Sequence, residues 1–270
     1  MEAEQALREG DLDAALAALQ DRVRKNPSDA KLRVFLFQLL CLMGQWNRAL
    51  TQLKVVGEID ASTLAMVHTY GSAVEAEPYR AEVFAGRKAP MILGKPSEWM
   101  ALLVQALRVE AEQGARAAQS LRQRAFDAAP AVSGKINDVP FQWIADADGR
   151  LGPMLEAVIN GRYYWVPFER IGRLDLEPPS DLRDLVWAPA HFGWSNGGEA
   201  VGLVPVRYPG SEAQDDAQLR MARRTVWSEE ATNAGLGQRM LATDADEYPL
   251  LEVRSLDLDA PPETGDADAA

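Results

Sequence analysis

The chain has 270 residues, a formal net charge of -12, one cysteine and two histidines. That length holds one large domain or two modest ones, and an acidic surface repels phosphates, which argues against nucleic acid or an anionic membrane as a partner. No apolar run approaches a bilayer span, and the opening MEAEQALREGD places acids where a secretion signal needs positive charge and then an apolar stretch, so a cytoplasmic protein without membrane insertion is expected.

The first elements form a repeat. Gly10, Leu12, Ala15 and Leu19 recur 34 residues later as Gly44, Trp46, Ala49 and Leu53, in the words GDLDAALAAL and GQWNRALTQL. This spacing resembles the tetratricopeptide repeat, in which two antiparallel helices meet at a small residue and each pair stacks on the next. The glycine lets the chain turn, the alanine lets the helices approach closely, and the large residue fills the groove. Leu32, Phe35, Leu36, Leu39 and Leu40 make the apolar stripe of a buried first helix, and Cys41 ends that run as a small buried side chain with no disulfide partner.

A third pair is degenerate. Leu64, Val67, Tyr70, Gly71 and Val74 suit a first helix, but Pro78 stands where the inter-helix glycine belongs and predicts a break there. Pro96 and Ser97 precede helices expected at about 98–112 and 115–128. Residues 1–130 therefore read as a short helical solenoid. The concave face of such a stack, lined by the first helix of each pair, accepts a peptide or helix. The repeat geometry projects Lys31, Val34, Gln38, Cys41, His68, Ser72 and Glu75 near that face.

After Pro130 the texture changes to short apolar runs between turn signals such as Asp148-Gly149, Asn160-Gly161 and Asn196-Gly197-Gly198. LEAVINGRYYWVPF reads as a hairpin about Asn160-Gly161. Further strands are expected at 139–144, 200–206, 222–227, 239–242 and 248–253, and Pro178-Pro179-Ser180 with DLRDLVW as a loop and a helical turn. The fold class is α+β: an all-α, repeat-like half at 1–130, a mainly β half at 131–258, and an acidic tail at 259–270 too poor in apolar groups to offset its ordering entropy. All of the acidic excess lies beyond residue 130, where 24 Asp+Glu face 12 Lys+Arg; residues 1–130 hold 16 of each.

Gly193-Trp-Ser195-Asn-Gly197 fits the G-x-S-x-G pattern of a nucleophilic elbow. That elbow needs a strand before the serine, a helix after it and a histidine later in the chain. Both histidines, His68 and His191, precede Ser195, and GGEAVGLVPVRYPG favours a strand over a helix. A turn between two strands, with Phe192 and Trp194 packed on a neighbour, is the simpler reading. These two aromatics join the candidate partner surface. Two distant histidines and one cysteine do not make a zinc site. Asp146-Ala-Asp148-Gly149 begins like a calcium loop, but Ala157 stands where the bidentate glutamate belongs, and a hairpin turn is simpler. No phosphate-cradling glycine motif is present, so no cofactor is expected.

FQWIADADGRLGPMLEAVINGRYYWVPFERI and DLVWAPAHFGWSNGGEAVGLVPVRYPGSE, placed after a helical repeat, together resemble the ImpE/TagJ family, accessory proteins of bacterial type VI secretion. GRYYWVPFERI and LVPVRYPGSE are the most specific words, and the likeness runs to about residue 258. The resemblance implies a cytoplasmic, non-enzymatic adapter that binds the N-terminal helix of the small contractile-sheath subunit and so touches recycling by the AAA+ unfoldase. A serine hydrolase using Ser195 and a general effector chaperone are the rival readings.

Overall fold

The computed structural model describes residues 2–259. Seven helices come first: α1 (Glu2–Glu9), α2 (Leu12–Lys25), α3 (Ala30–Leu42), α4 (Trp46–Ile59), α5 (Leu64–Phe84), α6 (Glu98–Gln113) and α7 (Ala115–Ala128). Gly10 and Gly44 take positive φ at the α1–α2 and α3–α4 turns, which only glycine adopts without strain. Ala15, Leu19, Ala49 and Leu53 are all buried in the stack, as the repeat requires. Asp11 and Asp29 cap α2 and α3, accepting from the amides of Ala14 and Leu32 at 2.8 and 3.1 Å.

The expected break at Pro78 does not occur. Helix α5 runs unbroken for 21 residues through it. Pro78 points its ring to solvent, while Val74, Glu77, Arg80 and Val83 are buried on the opposite side. Tertiary burial at three-residue spacing outweighs a local cost of about 3 kcal/mol.

Between α5 and α6 the first half contributes strand β1 (Met91–Ile92), and the second half is built from strands β2 (Gly134–Ile136), β3 (Val139–Phe141), β4 (Ile144–Asp146), β5 (Met154–Ile159), β6 (Arg162–Pro167), β7 (Ile171–Leu176), β8 (Trp187–Trp194), β9 (Glu199–Pro205), β10 (Thr225–Trp227), β11 (Gly235–Gly237), β12 (Met240–Thr243), β13 (Glu247–Pro249) and β14 (Ser255–Leu258). Nine of them form one sheet in the order β1-β6-β5-β9-β8-β7-β14-β2-β3, antiparallel except for the β1–β6 pair. The β5–β6 hairpin closes on Asn160-Gly161, both at positive φ, with Ile159 opposite Arg162. The run 248–253 is not a strand throughout: β13 gives way to a 3-10 turn at Leu250–Glu252. Asp146-Ala-Asp148-Gly149 is not a hairpin turn either, because β4 and β5 belong to different sheets.

Every residue of β5 is buried, because the sheet is covered on both faces. Met154, Val158, Tyr163, Trp165, Trp187 and Leu203 share a core with the helices. Leu155, Ala157, Ile159, Val166, Phe192 and Val204 belong to a second core on the far face. The acidic tail falls outside the described residues except for Asp259, whose amide donates to Ser133 O at 2.9 Å. Among the described residues no helix is long and apolar enough to cross a membrane.

Candidate functional site

The helices and the sheet meet along a seam that is polar as well as apolar. Arg80 of α5 donates to both carboxylate oxygens of Glu156 on β5, at 2.6 and 2.8 Å, and to Arg207 O at 2.7 Å. Arg239 bridges Glu156 and Asp146 and donates to Pro205 O at 2.8 Å. Tyr163 donates its hydroxyl to Glu156 and accepts from the Trp165 indole. Burial by itself would raise the Glu156 pKa, but the two guanidiniums outweigh it and hold the carboxyl at about 2. Asp146 goes the other way: burial outweighs its single arginine and pushes it up to about 6.

Two further contacts fasten the seam. Arg207 reaches the carbonyls of Leu42 and Cys41 at 2.8 and 3.2 Å, placing a cation on the carboxyl end of α3, where the peptide dipoles favour it. Glu77 accepts from the Trp187 indole at 2.9 Å. Trp187 also lies 5.9 Å from Trp46 and 6.3 Å from Tyr70 between ring centroids, so one tryptophan of the sheet joins α4 and α5.

The seam decides what the projected concave face can do. Gln38 is only 7% exposed and Cys41 is fully buried. Gln38 lies beside Asp181, and α3 packs on the 3-10 turn Leu182–Leu185 of the second half. At α3, therefore, the protein fills its own groove, and neither side chain is open to a partner. Lys31 is exposed and Val34 half-buried, but neither reaches the cleft described next. Phe192 is fully buried in the far core, stacked on half-buried Trp194 at 5.0 Å, so it packs on a neighbour and offers no surface.

His68 and Ser72 do lie at an opening. They form one wall of a cleft of about 700 Å3 between α5 and the sheet, with Glu75 exposed on the same helix. The other walls are Val158, Asn160-Gly161, Asp175 to Pro178, Pro189 to His191 and Val201 to Leu203. Both histidines of the chain thus face the same space, one from each half. The strands flooring it, β5, β8 and β9, each have a neighbour on both sides. Gly202 is required there, since a Cβ would come within 2.8 Å of Val158 O. Beyond the end of α5 the same sheet face is bare, and Val201 is 72% exposed.

Ser195 sits in the turn between β8 and β9, with its amide donating to Arg170 O at 3.0 Å and Gly197 N to Trp194 O at 2.9 Å. A strand, not a helix, follows, so the elbow scaffold is replaced by a hairpin. The extended strand from His191 to Trp194 alone spans about 10 Å. His191 instead points to Glu199, Nε2 to Oε2 3.6 Å. Among the described residues no hydrogen bond joins Ser195 to a histidine, and no group of three His, Cys, Asp or Glu could hold a metal.

The family model described as ImpE protein matches residues 138–257, and a tetratricopeptide repeat model matches residues 6–69. Over 259 residues the chain is 54% identical to the type VI secretion system accessory component TagJ of Pseudomonas aeruginosa, covering 96% of this chain and 92% of that one. The chain belongs to the ImpE/TagJ family. The crystal structure of protein VPA1032 from Vibrio parahaemolyticus has the same fold, with a TM-score of 0.84 and 25% identity over 96% of this chain and 97% of that one. In this ImpE/TagJ chain the ImpE-type region contributes Val158, Asp175, Glu177, Val201 and Leu203 to the cleft, none of which the repeat pattern could flag. The one local signal was a glycine inside a strand pattern, Gly202, which marks close backbone approach.

Proposed function

We propose that this protein is a non-enzymatic, cytoplasmic accessory component of bacterial type VI secretion. It docks the N-terminal helix of the small contractile-sheath subunit in the cleft between α5 and the sheet, and so acts on sheath assembly or on recycling by the AAA+ unfoldase. Its kinship with TagJ supports the secretion role. The observation that carries the docking mode is the cleft floor. Its strands are already paired on both sides, so a guest strand finds no sheet edge there, and what remains on offer is exposed Val201 with Pro178 and half-buried Pro189 beside it, over buried Val158 and Leu203. A cavity of this size takes the anchor side chains of an amphipathic helix, spaced i, i+3, i+4 and i+7, whose burial contributes about 25 cal/mol per Å2 before ordering costs.

The test is copurification with the small sheath subunit, with and without that subunit's first helix. Loss of the complex on deletion, and equally on Val201→Asp in this protein, is the expected result. Undiminished copurification after the helix is removed would defeat the docking mode.

A further inference from the structure

The cleft has a sign as well as a shape. Among the side chains lining it there is no lysine or arginine, and the carboxylates are Asp175 and Glu177. Glu199 stands just beyond, next to His191, on the exposed stretch of β9. The nearby cations are already paired. Arg173 bridges Asp175 and Asp257, leaving that trio one negative charge in excess. Arg183 pairs with Asp181 and lies over the Tyr70 ring at 4.5 Å. Arg162, next after Gly161 on the hairpin, is exposed but is not among the lining residues.

Resting on the docking role proposed above, we infer that this cleft selects a cationic amphipathic helix: apolar anchors in the floor, with Lys or Arg on the flanks meeting Glu177, Glu199 and the Asp175 trio. Glu177 and Glu199 are specificity-determining positions at the rim. Exposed charges of this kind set the encounter rate and reject wrongly charged partners, while the buried apolar contacts hold the complex. The polarity also agrees with the larger charge pattern, because the whole acidic excess of the chain lies in the half that supplies this rim.

The experiment uses the full-length protein and a fluorescent peptide of the small sheath subunit's first helix, titrated at low and at high salt. The comparators are Val201→Asp and the double variant Glu177→Lys/Glu199→Lys, each checked by circular dichroism for intact folding. Tight binding is expected for the parent protein, weakened several-fold by salt. The double variant should bind roughly five- to tenfold more weakly and lose the salt dependence. Binding that depends on Val201 but is indifferent to salt and to the charge reversal would overturn the inference and leave the docking role standing. Failure of the peptide to bind the parent protein at all would overturn both.

Discussion

The seam and the cleft are built from the same two surfaces, α5 and the sheet, yet they are opposite in kind. Along the seam, charges are fully enclosed and each is answered: Glu156 by two arginines and a tyrosine, Arg207 by the open carbonyls at the end of α3. At the cleft the same helix stands away from the strands, leaving Val201 bare and carboxylates at the rim. Enclosed charge pairs add little net stability but cost heavily if one partner is removed, so they fix how the two halves sit. An exposed apolar side chain such as Val201 holds nothing within the chain, and that leaves it free for a partner.

The contrast can be broken most forcefully at Glu156. Replacing it with Ala leaves Arg80 and Arg239 buried without their shared carboxylate, and unfolding by urea should show a loss of about 3–5 kcal/mol. A loss below about 1 kcal/mol would mean that the seam does not depend on this group.

The second largest effect is a pH dependence of opposite sign at two carboxyls. Glu156, held at about 2 against 4.5 when unfolded, contributes stability that is present above pH 4.5 and is lost as pH falls toward 2. Asp146, raised to about 6 from 3.8, is protonated more in the folded than in the unfolded chain between those values, so its contribution declines as pH rises through that window. Each amounts to about 3 kcal/mol, and their joint contribution peaks near pH 4–5. Urea midpoints measured from pH 3 to 7 should lose the decline above pH 4 in Asp146→Asn, and the acid-side fall in Glu156→Gln. A variant that kept the parent profile would refute the assignment for that residue.

Arg207→Met removes the cation from the end of α3 and should lower stability by about 1.5–3 kcal/mol, the range for hydrogen bonds to a charged group. Amide exchange should then quicken in the last turn of α3; unchanged protection there would argue against capping by Arg207. At the cleft the balance reverses. Val201→Asp should alter stability by less than about 1 kcal/mol while abolishing capture of the sheath subunit. The smallest effect belongs to Ser195→Ala, for which neither stability nor partner binding should move. Labelling of the parent protein by a fluorophosphonate, lost in that variant, would instead establish a reactive serine.

How much of this was legible in the chain depends on the range of the signal. The 34-residue repeat, the α6 and α7 boundaries and the Asn160-Gly161 hairpin are local patterns, and the structure follows them closely. Strands β2, β7 and β14 left no such mark. Strands β2 and β14 are short, and β2 and β7 pair with β14, which lies some 80 or more residues later in the chain. Of the projected groove residues, His68 and Ser72 reach the cleft, whereas Gln38 and Cys41 are covered by residues of the other half.

By itself the sequence determined what depends on neighbours within a turn or two: helical stripes, the glycine turns at 10 and 44, the two-residue hairpin and the family words GRYYWVPFERI and LVPVRYPGSE. Only the tertiary structure decided that α5 runs through Pro78, that Arg80 meets Glu156 across 76 positions, and that a cleft opens where helix and sheet part. Periodicity tells which face of an element is apolar. It carries no information about which other face will cover it, and the cleft opens where one such face is left partly uncovered.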